Sequence, residues 1–277
     1  MGPAATRRRP PNAGHGHELT RVVYIMADVS ITVPATPATW RAFAWAGGVL
    51  FVLALSAGAW WFLVVLDTVP APGPPALGVL LWNTALFAVF AAHHSVMARS
   101  GAKRWLARRL PPQLERATYV WVASLLFVLM CLAWRPVAGT AWQVSHAALH
   151  WPARAVQAAG LLLTLLAARF LDALDLAGVR QATGTERNAS GVPPAGMDAI
   201  TARGPYGLVR HPIYLGWVLM VFAAPNMTNG RLLFAIVSTA YVAVAIPWEE
   251  RSLVAQFGDQ YRSYQRLVRW RLIPGIY

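Results

Sequence analysis

Long apolar runs separated by short polar gaps dominate the chain from residue 40 onward. A helix that crosses a membrane needs about 20 mostly apolar residues, because each residue advances it by about 1.5 Å across a core about 30 Å thick. Six runs approach or reach that length: about 42–66, 76–96, 117–134, 155–176, 213–228 and 231–248. The pattern predicts an all-α integral membrane protein with about five to six transmembrane helices. Because Asn229-Gly230 is a strong turn signal, the last two should form a C-terminal helical hairpin.

The composition supports a membrane protein and argues against several soluble classes. Of the 277 residues, 57% are hydrophobic and 13% are charged, whereas a soluble protein carries about 25% charged residues. The single cysteine, Cys131, lies within an apolar run, so a disulfide scaffold is excluded. Residues 1–39 show no apolar period and are predicted to form a disordered cytoplasmic tail. Residues 40–277 are then a single polytopic membrane domain.

The net charge of +13 is concentrated in alternate gaps between the apolar runs. The gaps 97–116 and 177–212 and the segment 249–277 are rich in arginine, whereas 67–75 and 135–154 carry few charges. Basic loops face the cytoplasm in membrane proteins. The distribution predicts that both termini are cytoplasmic, in a bacterial inner membrane, and it favours contact with membrane lipids over nucleic acid.

A polar turn before the fifth run is the first candidate for chemistry. Arg210 and His211 stand directly before Pro212, which suits the first turn of a helix. The free N–H groups of a helix start, a guanidinium and an imidazole together suit a carboxylate or another anion. Tyr214 and Trp217 lie three residues apart and can line one wall. Ordinary anchoring in the interfacial aromatic belt is the alternative, and the residues alone do not decide between the two.

Two adjacent carboxylates, Glu249 and Glu250, close the last apolar run. The helix macrodipole disfavours negative charge at a C-terminus, so another interaction must stabilise them. Since neighbours on a helix point about 100° apart, one can face a cationic or hydroxyl-bearing ligand while the other pairs with an arginine such as Arg210. The alternative is a solvated polar helix end.

The pair His93-His94 lies near the end of the second run, followed by Ser95. Adjacent histidines diverge by about 100° on a helix and do not readily bind one metal ion together. A hydrogen bond to another helix, gating or placement at the interface is therefore favoured. The sequence has no zinc-type Cys/His spacing, Walker loop or Rossmann fingerprint, and no metal is predicted.

Three charged residues, Arg169, Asp172 and Asp175, interrupt the end of the fourth run. The two aspartates lie one turn apart on one helix face. Ionisable residues at membrane depth usually mark a functional site, which a transporter would use. The alternative is that this helix end simply emerges into the cytoplasm.

These segments together resemble the isoprenylcysteine carboxyl methyltransferase superfamily of membrane methyltransferases. The resemblance is carried by Arg210-His211-Pro212-Ile213-Tyr214-Leu215-Gly216, by Glu249-Glu250 about thirty residues later, and by Phe257-Gly258 with Tyr261, Tyr264 and Arg266. A stretch from His94-Ser95-Val96-Met97-Ala98-Arg99 to Tyr119 is similar to the methanethiol S-methyltransferase and NnrU-type branches. The resemblance spans most of residues 80–277.

The resemblance implies S-adenosylmethionine as methyl donor, bound in a cytoplasmic pocket formed mainly by about 203–277. The implied cofactor-binding residues are His211, Pro212, Tyr214, Gly216, Glu249, Glu250 and Tyr261. The implied catalytic residues are Arg210, Glu249 and Glu250, with Arg210 engaging the donor's carboxylate or a thiolate.

The acceptor expected from this resemblance is a small thiol such as methanethiol, or another membrane-accessible group. An isoprenylcysteine carboxyl or phospholipid acceptor is the alternative within the superfamily. Outside enzymes, the alternatives are a non-enzymatic NnrU-like accessory protein and a six-helix transporter or haem protein.

Overall fold

The protein is described by a computed structural model over residues 36–68, 70–97, 99–170, 173–184 and 202–277. Residues 1–35 of the predicted tail lie outside the described residues. In chain order the elements are α1 (Ala38–Leu63), a 3-10 turn (Val65–Asp67), α2 (Leu77–Met97), α3 (Ser100–Ala107), α4 (Pro112–Ala133), β1 (Thr140–Gln143), α5 (Ala147–Ala168), α6 (Ala173–Leu176), α7 (Val179–Thr183), a second 3-10 turn (Gly204–Gly207), α8 (Pro212–Phe222), β2 (Asn226–Thr228), α9 (Asn229–Phe257) and α10 (Asp259–Leu267).

Five of these helices are long and apolar enough to cross a membrane. They are α1 with its following turn, α2, α4, α5 and α9. Large apolar side chains cover their outer faces; Leu132 is 79% exposed and Leu77 is 69% exposed. Such side chains are stable in contact with lipid and not with water. The predicted all-α integral membrane class, with five to six spans, is confirmed.

The fifth apolar run differs from its predicted form. Helix α8 has only 11 residues and covers about 16 Å, roughly half of the hydrocarbon core. After it, β2 pairs antiparallel with β1, so that Thr140 lies opposite Thr228 and Gln143 lies opposite Asn226. The predicted run 213–228 is therefore a short helix followed by a strand.

The contacts place the helix termini at two opposite ends of the bundle. At the sheet end, β1 and β2 lie beside the end of α1, where Thr228 donates a hydrogen bond to the Leu66 carbonyl. At the carboxylate end, the start of α8 lies against Glu249 and Glu250 of α9. The chain thus passes from one end to the other through α8 and the extended residues after it.

The predicted turn at Asn229-Gly230 is wrong, because these residues are the first two of α9. The Thr228 hydroxyl accepts a hydrogen bond from the Arg231 N–H and so caps the helix. The Asn229 amide donates to the Ala138 carbonyl at 2.6 Å, which ties the helix start to the β1 loop. The turn itself lies earlier, between α8 and β2.

The last helix is also longer than predicted. It continues past Pro247 to Phe257, so Glu249 and Glu250 lie inside α9 and not at its end. Pro247 removes one backbone hydrogen bond, yet the helix is continuous through it. The two carboxylates are therefore not destabilised by the negative end of the helix macrodipole, which acts only on the last turn.

The charged end of the fourth run lies beyond its helix. Helix α5 begins at Ala147, earlier than predicted, and ends at Ala168, so Arg169 is its C-cap residue. Asp175 lies in the separate helix α6, where it accepts a hydrogen bond from Gln181. Asp172 lies outside the described residues. Arg169 and Asp175 therefore do not lie inside the long apolar helix.

Candidate functional site

The turn before α8 is fixed to the C-terminal segment of the chain. The backbone N–H groups of Arg210 and His211 donate to the carbonyls of Trp270 and Arg271, each at 2.9 Å. Pro212 then begins α8, as the sequence predicts, since its missing N–H needs no partner there. The backbone therefore holds both side chains at a fixed position beside α9.

Four side chains donate to the buried carboxylate of Glu250. Arg210 Nε lies 2.6 Å and His211 Nε2 lies 3.4 Å from Oε1. Gln265 Nε2 and Arg271 Nε each lie 3.2 Å from Oε2. Through these contacts Glu250 joins the start of α8 and helix α10 to α9. Because both of its oxygens are occupied and the residue is only 4% exposed, it offers little to a ligand.

Arg210 is buried in the same cluster. Its Nε contacts Glu250, and its Nη1 donates to the carbonyls of Val268 and Arg269, both at 2.8 Å. This is the carboxylate–arginine pair that the sequence predicts for one of the two glutamates. Arg210 does not line the neighbouring cavity between α1, α2, α4 and α8, so it is not placed to contact a thiolate there.

The other carboxylate, Glu249, remains accessible. Its side chain is 44% exposed and accepts a hydrogen bond of 2.9 Å from the Tyr214 hydroxyl. His211 Nδ1 lies 3.7 Å from the same carboxylate, and the His211 ring stacks on Tyr214 at 5.5 Å. The two glutamates thus differ: Glu250 is fully occupied by contacts within the protein, whereas Glu249 is accessible to a ligand.

A cavity of about 670 Å³ opens beside this cluster, between α1, α2, α4 and α8. Its wall is mostly aromatic and aliphatic, with a few polar groups. The lining residues are Phe51, Ala54, Leu55, Phe90, His94, Met97, Glu115, Arg116, Tyr119, Val120, Ala123, Ser124, Phe127, Leu176, Tyr214 and Trp217. Apolar cavities with a few polar groups are the usual form of small-molecule sites. Tyr214 belongs to this wall and to the Glu249 contact, and so connects them.

Three polar features mark the cavity wall. His94 Nδ1 lies 2.6 Å from the Tyr119 hydroxyl on the facing helix, which is the interhelical hydrogen bond favoured by the sequence. Glu115 and Arg116 add both signs of charge. The Ser124 hydroxyl is buried and has no hydrogen-bond partner among the described residues. An unsatisfied buried hydroxyl in a cavity wall is suited to a bound ligand.

Two residues that the resemblance implies for the cofactor, Gly216 and Tyr261, do not line this cavity. Gly216 lies where α8 crosses α5, against Gly160, and a side chain there would meet backbone atoms. Tyr261 is 3% exposed and packs against Tyr264, 5.8 Å away. Burial raises the pKa of the Tyr261 phenol. Neither residue lines the cavity, because helix crossing and core packing take up their surfaces.

Two members of the Glu250 cluster were missed by the sequence argument. Gln265 lies on α10, and Arg271 lies in the irregular segment after it. In the sequence, Arg271 is one of several arginines in the basic segment 249–277, and nothing in its spacing marks it as a partner of α9. Only the reversal of the chain at Gly258, whose φ is 56°, brings these residues back to Glu250.

Comparison with known proteins identifies relatives over about two thirds to three quarters of the chain. Methanethiol S-methyltransferase 2 of Bradyrhizobium diazoefficiens is 40% identical over 217 residues, which cover 77% of this chain and 81% of that protein. Methanethiol S-methyltransferase of Mycobacterium tuberculosis is 41% identical over 186 residues, covering 67% and 75%. A more distant relative, the Nurim homolog of Drosophila melanogaster, is 26% identical over 185 residues, covering 65% and 72%.

No protein-family model matches the chain. No solved structure matches it either. The relatives confirm the resemblance to the isoprenylcysteine carboxyl methyltransferase superfamily and narrow it to one branch. On identity and coverage alike, this chain belongs to the methanethiol S-methyltransferase family.

Proposed function

We propose that this protein is an integral-membrane methyltransferase that moves a methyl group from S-adenosylmethionine to a small thiol, with methanethiol as the first candidate acceptor. The observation that carries the proposal is its 36–41% identity to proteins named methanethiol S-methyltransferase, over most of the chain. The largely apolar cavity beside Tyr214 and Glu249 supports it, because a small uncharged thiol needs a dry site and no long lipid groove.

The residues at the carboxylate end fit the chemistry of S-adenosylmethionine. The accessible carboxylate of Glu249 suits an ammonium group, and Arg116 on the cavity wall suits a carboxylate. The aromatic surfaces of Tyr214 and Trp217 suit a nucleoside base, and Ser124 offers an unused hydroxyl. When bound, the cofactor supplies a methyl group on a positively charged sulfur.

The protein's own contribution is to position the reactants and exclude water. Tyr214 fixes the orientation of Glu249 through its hydrogen bond, and the aromatic wall removes solvent from the reacting atoms. Holding two reactants at about 3–3.5 Å in a fixed orientation accounts for a large part of such rate enhancements, with effective molarities that reach about 10⁵ M or more.

Arg210 and Glu250 have a positioning role in this proposal. Their buried ion pair joins the start of α8 to α9, and Arg271 adds the C-terminal segment to the same cluster. His211 lies between both carboxylates and stacks on Tyr214. The cluster thereby sets the position of the Tyr214–Glu249 pair without contacting the acceptor.

Equilibrium binding of radiolabelled S-adenosylmethionine to detergent-purified protein tests the proposal. Saturable binding is expected, weakened in Glu249→Ala and unchanged in Asp259→Ala, whose carboxylate is 92% exposed and pairs with Arg262. Methanethiol and a labelled methyl donor should give labelled dimethyl sulfide, whereas prenylated cysteine and phospholipid acceptors should not be methylated. Folded protein that binds no S-adenosylmethionine would contradict the proposal.

A further inference from the structure

We propose that His94 takes the proton of the thiol acceptor and that Tyr119 holds its ring in the form this requires. The inference rests on the proposed function, since it names the group that activates the acceptor at the same site. The pair lies on the cavity wall and is not explained by the Glu250 cluster.

The geometry around His94 leaves one of its ring nitrogens available. Nδ1 lies 2.6 Å from the Tyr119 hydroxyl, and no described residue forms a hydrogen bond with Nε2. The ring is held from two sides, with Phe90 at 6.1 Å and Tyr241 at 6.3 Å between ring centroids. Tyr241 is itself fixed by a hydrogen bond of 3.2 Å from Ser95. The imidazole therefore has a set orientation and a free nitrogen.

The Tyr119 contact is compatible with a base at Nε2 in one of the two neutral tautomers, and the proposed role of His94 requires that tautomer. A neutral imidazole has one N–H and one lone pair, and the hydrogen bond at one nitrogen fixes the form of the other. When Nδ1–H donates to the phenolic oxygen of Tyr119, the lone pair is on Nε2. This is the form in which an adjacent group orients a histidine base, as in other nucleophile–base–orienter arrangements.

A thiol acceptor needs such a base because the thiolate is the nucleophile. A thiol with a pKa of about 8.5 or more is mostly protonated at neutral pH. An apolar cavity further disfavours the free anion. A proton acceptor beside the sulfur overcomes both difficulties, because deprotonation then occurs as the new bond forms.

The step balances in atoms and charge. The thiol S–H bond breaks and its proton goes to Nε2 of His94, while the sulfur electron pair forms the new bond to the methyl carbon. The bond between that carbon and the donor's positively charged sulfur breaks, and its electrons remain on that sulfur as an uncharged thioether. The imidazolium then releases its proton to solvent. One positive charge moves from the donor to the histidine and leaves as a proton.

The other titratable groups around this step come from each packed element. Tyr119, Glu115 and Arg116 lie on α4, and Tyr214 lies on α8. On α9, Tyr241 faces the His94 ring. His93, which precedes His94 on α2, also stacks on the Tyr119 ring, with 5.7 Å between ring centroids. Unlike His94, it does not line the cavity. His93 is therefore the matched control.

The test compares His94→Gln with His93→Gln, using methanethiol and a more acidic aryl thiol. His94→Gln should lower kcat/KM for methanethiol by about 10²-fold or more at neutral pH, as expected for loss of a general base. Its rate should rise about tenfold per pH unit, because each unit supplies tenfold more thiolate. The loss should be much smaller with the aryl thiol, and S-adenosylmethionine binding should be retained.

His93→Gln should keep the wild-type pH profile and the wild-type ratio between the two thiols. Tyr119→Phe should show the His94→Gln pattern in weaker form, and it serves as the second variant if His94→Gln does not fold. The role of His94 is overturned if His94→Gln and Tyr119→Phe both keep the wild-type kcat/KM for methanethiol. It is also overturned if His94→Gln loses the same factor with both thiols at every pH. If wild-type protein neither binds S-adenosylmethionine nor methylates a thiol, the proposed function itself fails.

Discussion

The hydroxyl of Tyr214 lies 2.9 Å from Glu249 Oε2 and connects the cavity wall to the one accessible carboxylate of the cluster. The two residues are 35 positions apart on different helices. Their contact places an accessible carboxylate beside an aromatic surface. Sequence separation of this kind can be bridged only by the fold, which brings the start of α8 against the interior of α9.

Replacing Tyr214 by phenylalanine should weaken S-adenosylmethionine binding with little effect on folding. Because Glu249 is 44% exposed, the lost hydrogen bond should cost little stability, but the carboxylate loses the hydroxyl that orients it, so a loss of about tenfold or less in affinity is expected. Ser252→Ala, which removes an exposed hydroxyl of α9 that donates to the Trp248 carbonyl, is the control and should bind normally. Equal affinity in both variants would show that Tyr214 does not orient Glu249.

Replacing Arg210 by alanine should lower thermal stability before it affects any chemical step. Glu250 is buried and would lose the shortest of its four side-chain contacts, at 2.6 Å, but it would keep Arg271, so the cost should be below the about 3–5 kcal/mol of a fully broken buried pair. Arg210→Lys should recover only part of the loss, since an ammonium group cannot reproduce the guanidinium contacts with Glu250, Val268 and Arg269.

Thermal unfolding in detergent and a double-variant cycle with Glu250→Gln measure this effect. The double variant should be less destabilised than the sum of the single variants, because the two residues share one interaction. An Arg210→Ala protein of wild-type stability and S-adenosylmethionine affinity, but without turnover, would instead restore the catalytic role that the sequence resemblance implied.

The sequence alone predicts the all-α membrane class and the pairing of Arg210 with one of the two glutamates. Apolar runs identify membrane helices because each must satisfy its own backbone and face lipid. The prediction fails where local signals conflict with packing. Asn229-Gly230 is an ordinary turn signal, but the Thr228 cap and the Ala138 contact convert it into a helix start.

The candidate site is predictable only in part for a similar reason. One residue of the pair at 249–250 was expected to face an arginine, and the structure shows that pair as Glu250 and Arg210. Periodicity cannot indicate which glutamate does so, nor that Gln265 and Arg271 return to the same carboxylate. Those contacts depend on the chain reversal after α9, for which the only local signal is Gly258.

Placing a methyl group on Gly216 should separate α8 from α5. An added Cβ would lie 2.5 Å from the Gly160 carbonyl oxygen, a backbone atom that cannot move without its helix. Gly216→Ala should therefore cost about 1–3 kcal/mol of stability. Gly78→Ala is the matched control, because no atom lies within 4 Å of its added Cβ, and it should be neutral or slightly stabilising. Unfolding temperatures that do not differ would contradict this packing role.

Arg231 should be the most sensitive basic residue at the sheet end. It is 0% exposed, forms an ion pair with Asp67, and donates to the carbonyls of Phe62, Leu63 and Asn226. Arg231→Met leaves these buried acceptors unpaired, at about 1–3 kcal/mol for each group. Arg154 contacts the same aspartate at 3.3 Å but is 30% exposed, so Arg154→Met should cost about 1 kcal/mol or less. Similar unfolding temperatures for the two variants would contradict this difference.

Membrane orientation gives the last prediction, that the carboxylate end faces the cytoplasm. The gap 97–116, which lies at this end, is strongly basic, and the gap 135–154 at the sheet end carries few charges. In a Cys131→Ala background, a membrane-impermeant maleimide added to intact cells whose outer membrane has been made permeable should label Ser145→Cys. Arg108→Cys should be labelled only after the inner membrane is opened, although both positions are exposed in the fold. Labelling in the reverse order would place the candidate site on the outer face, away from a cytoplasmic supply of the methyl donor, and would contradict the proposed orientation.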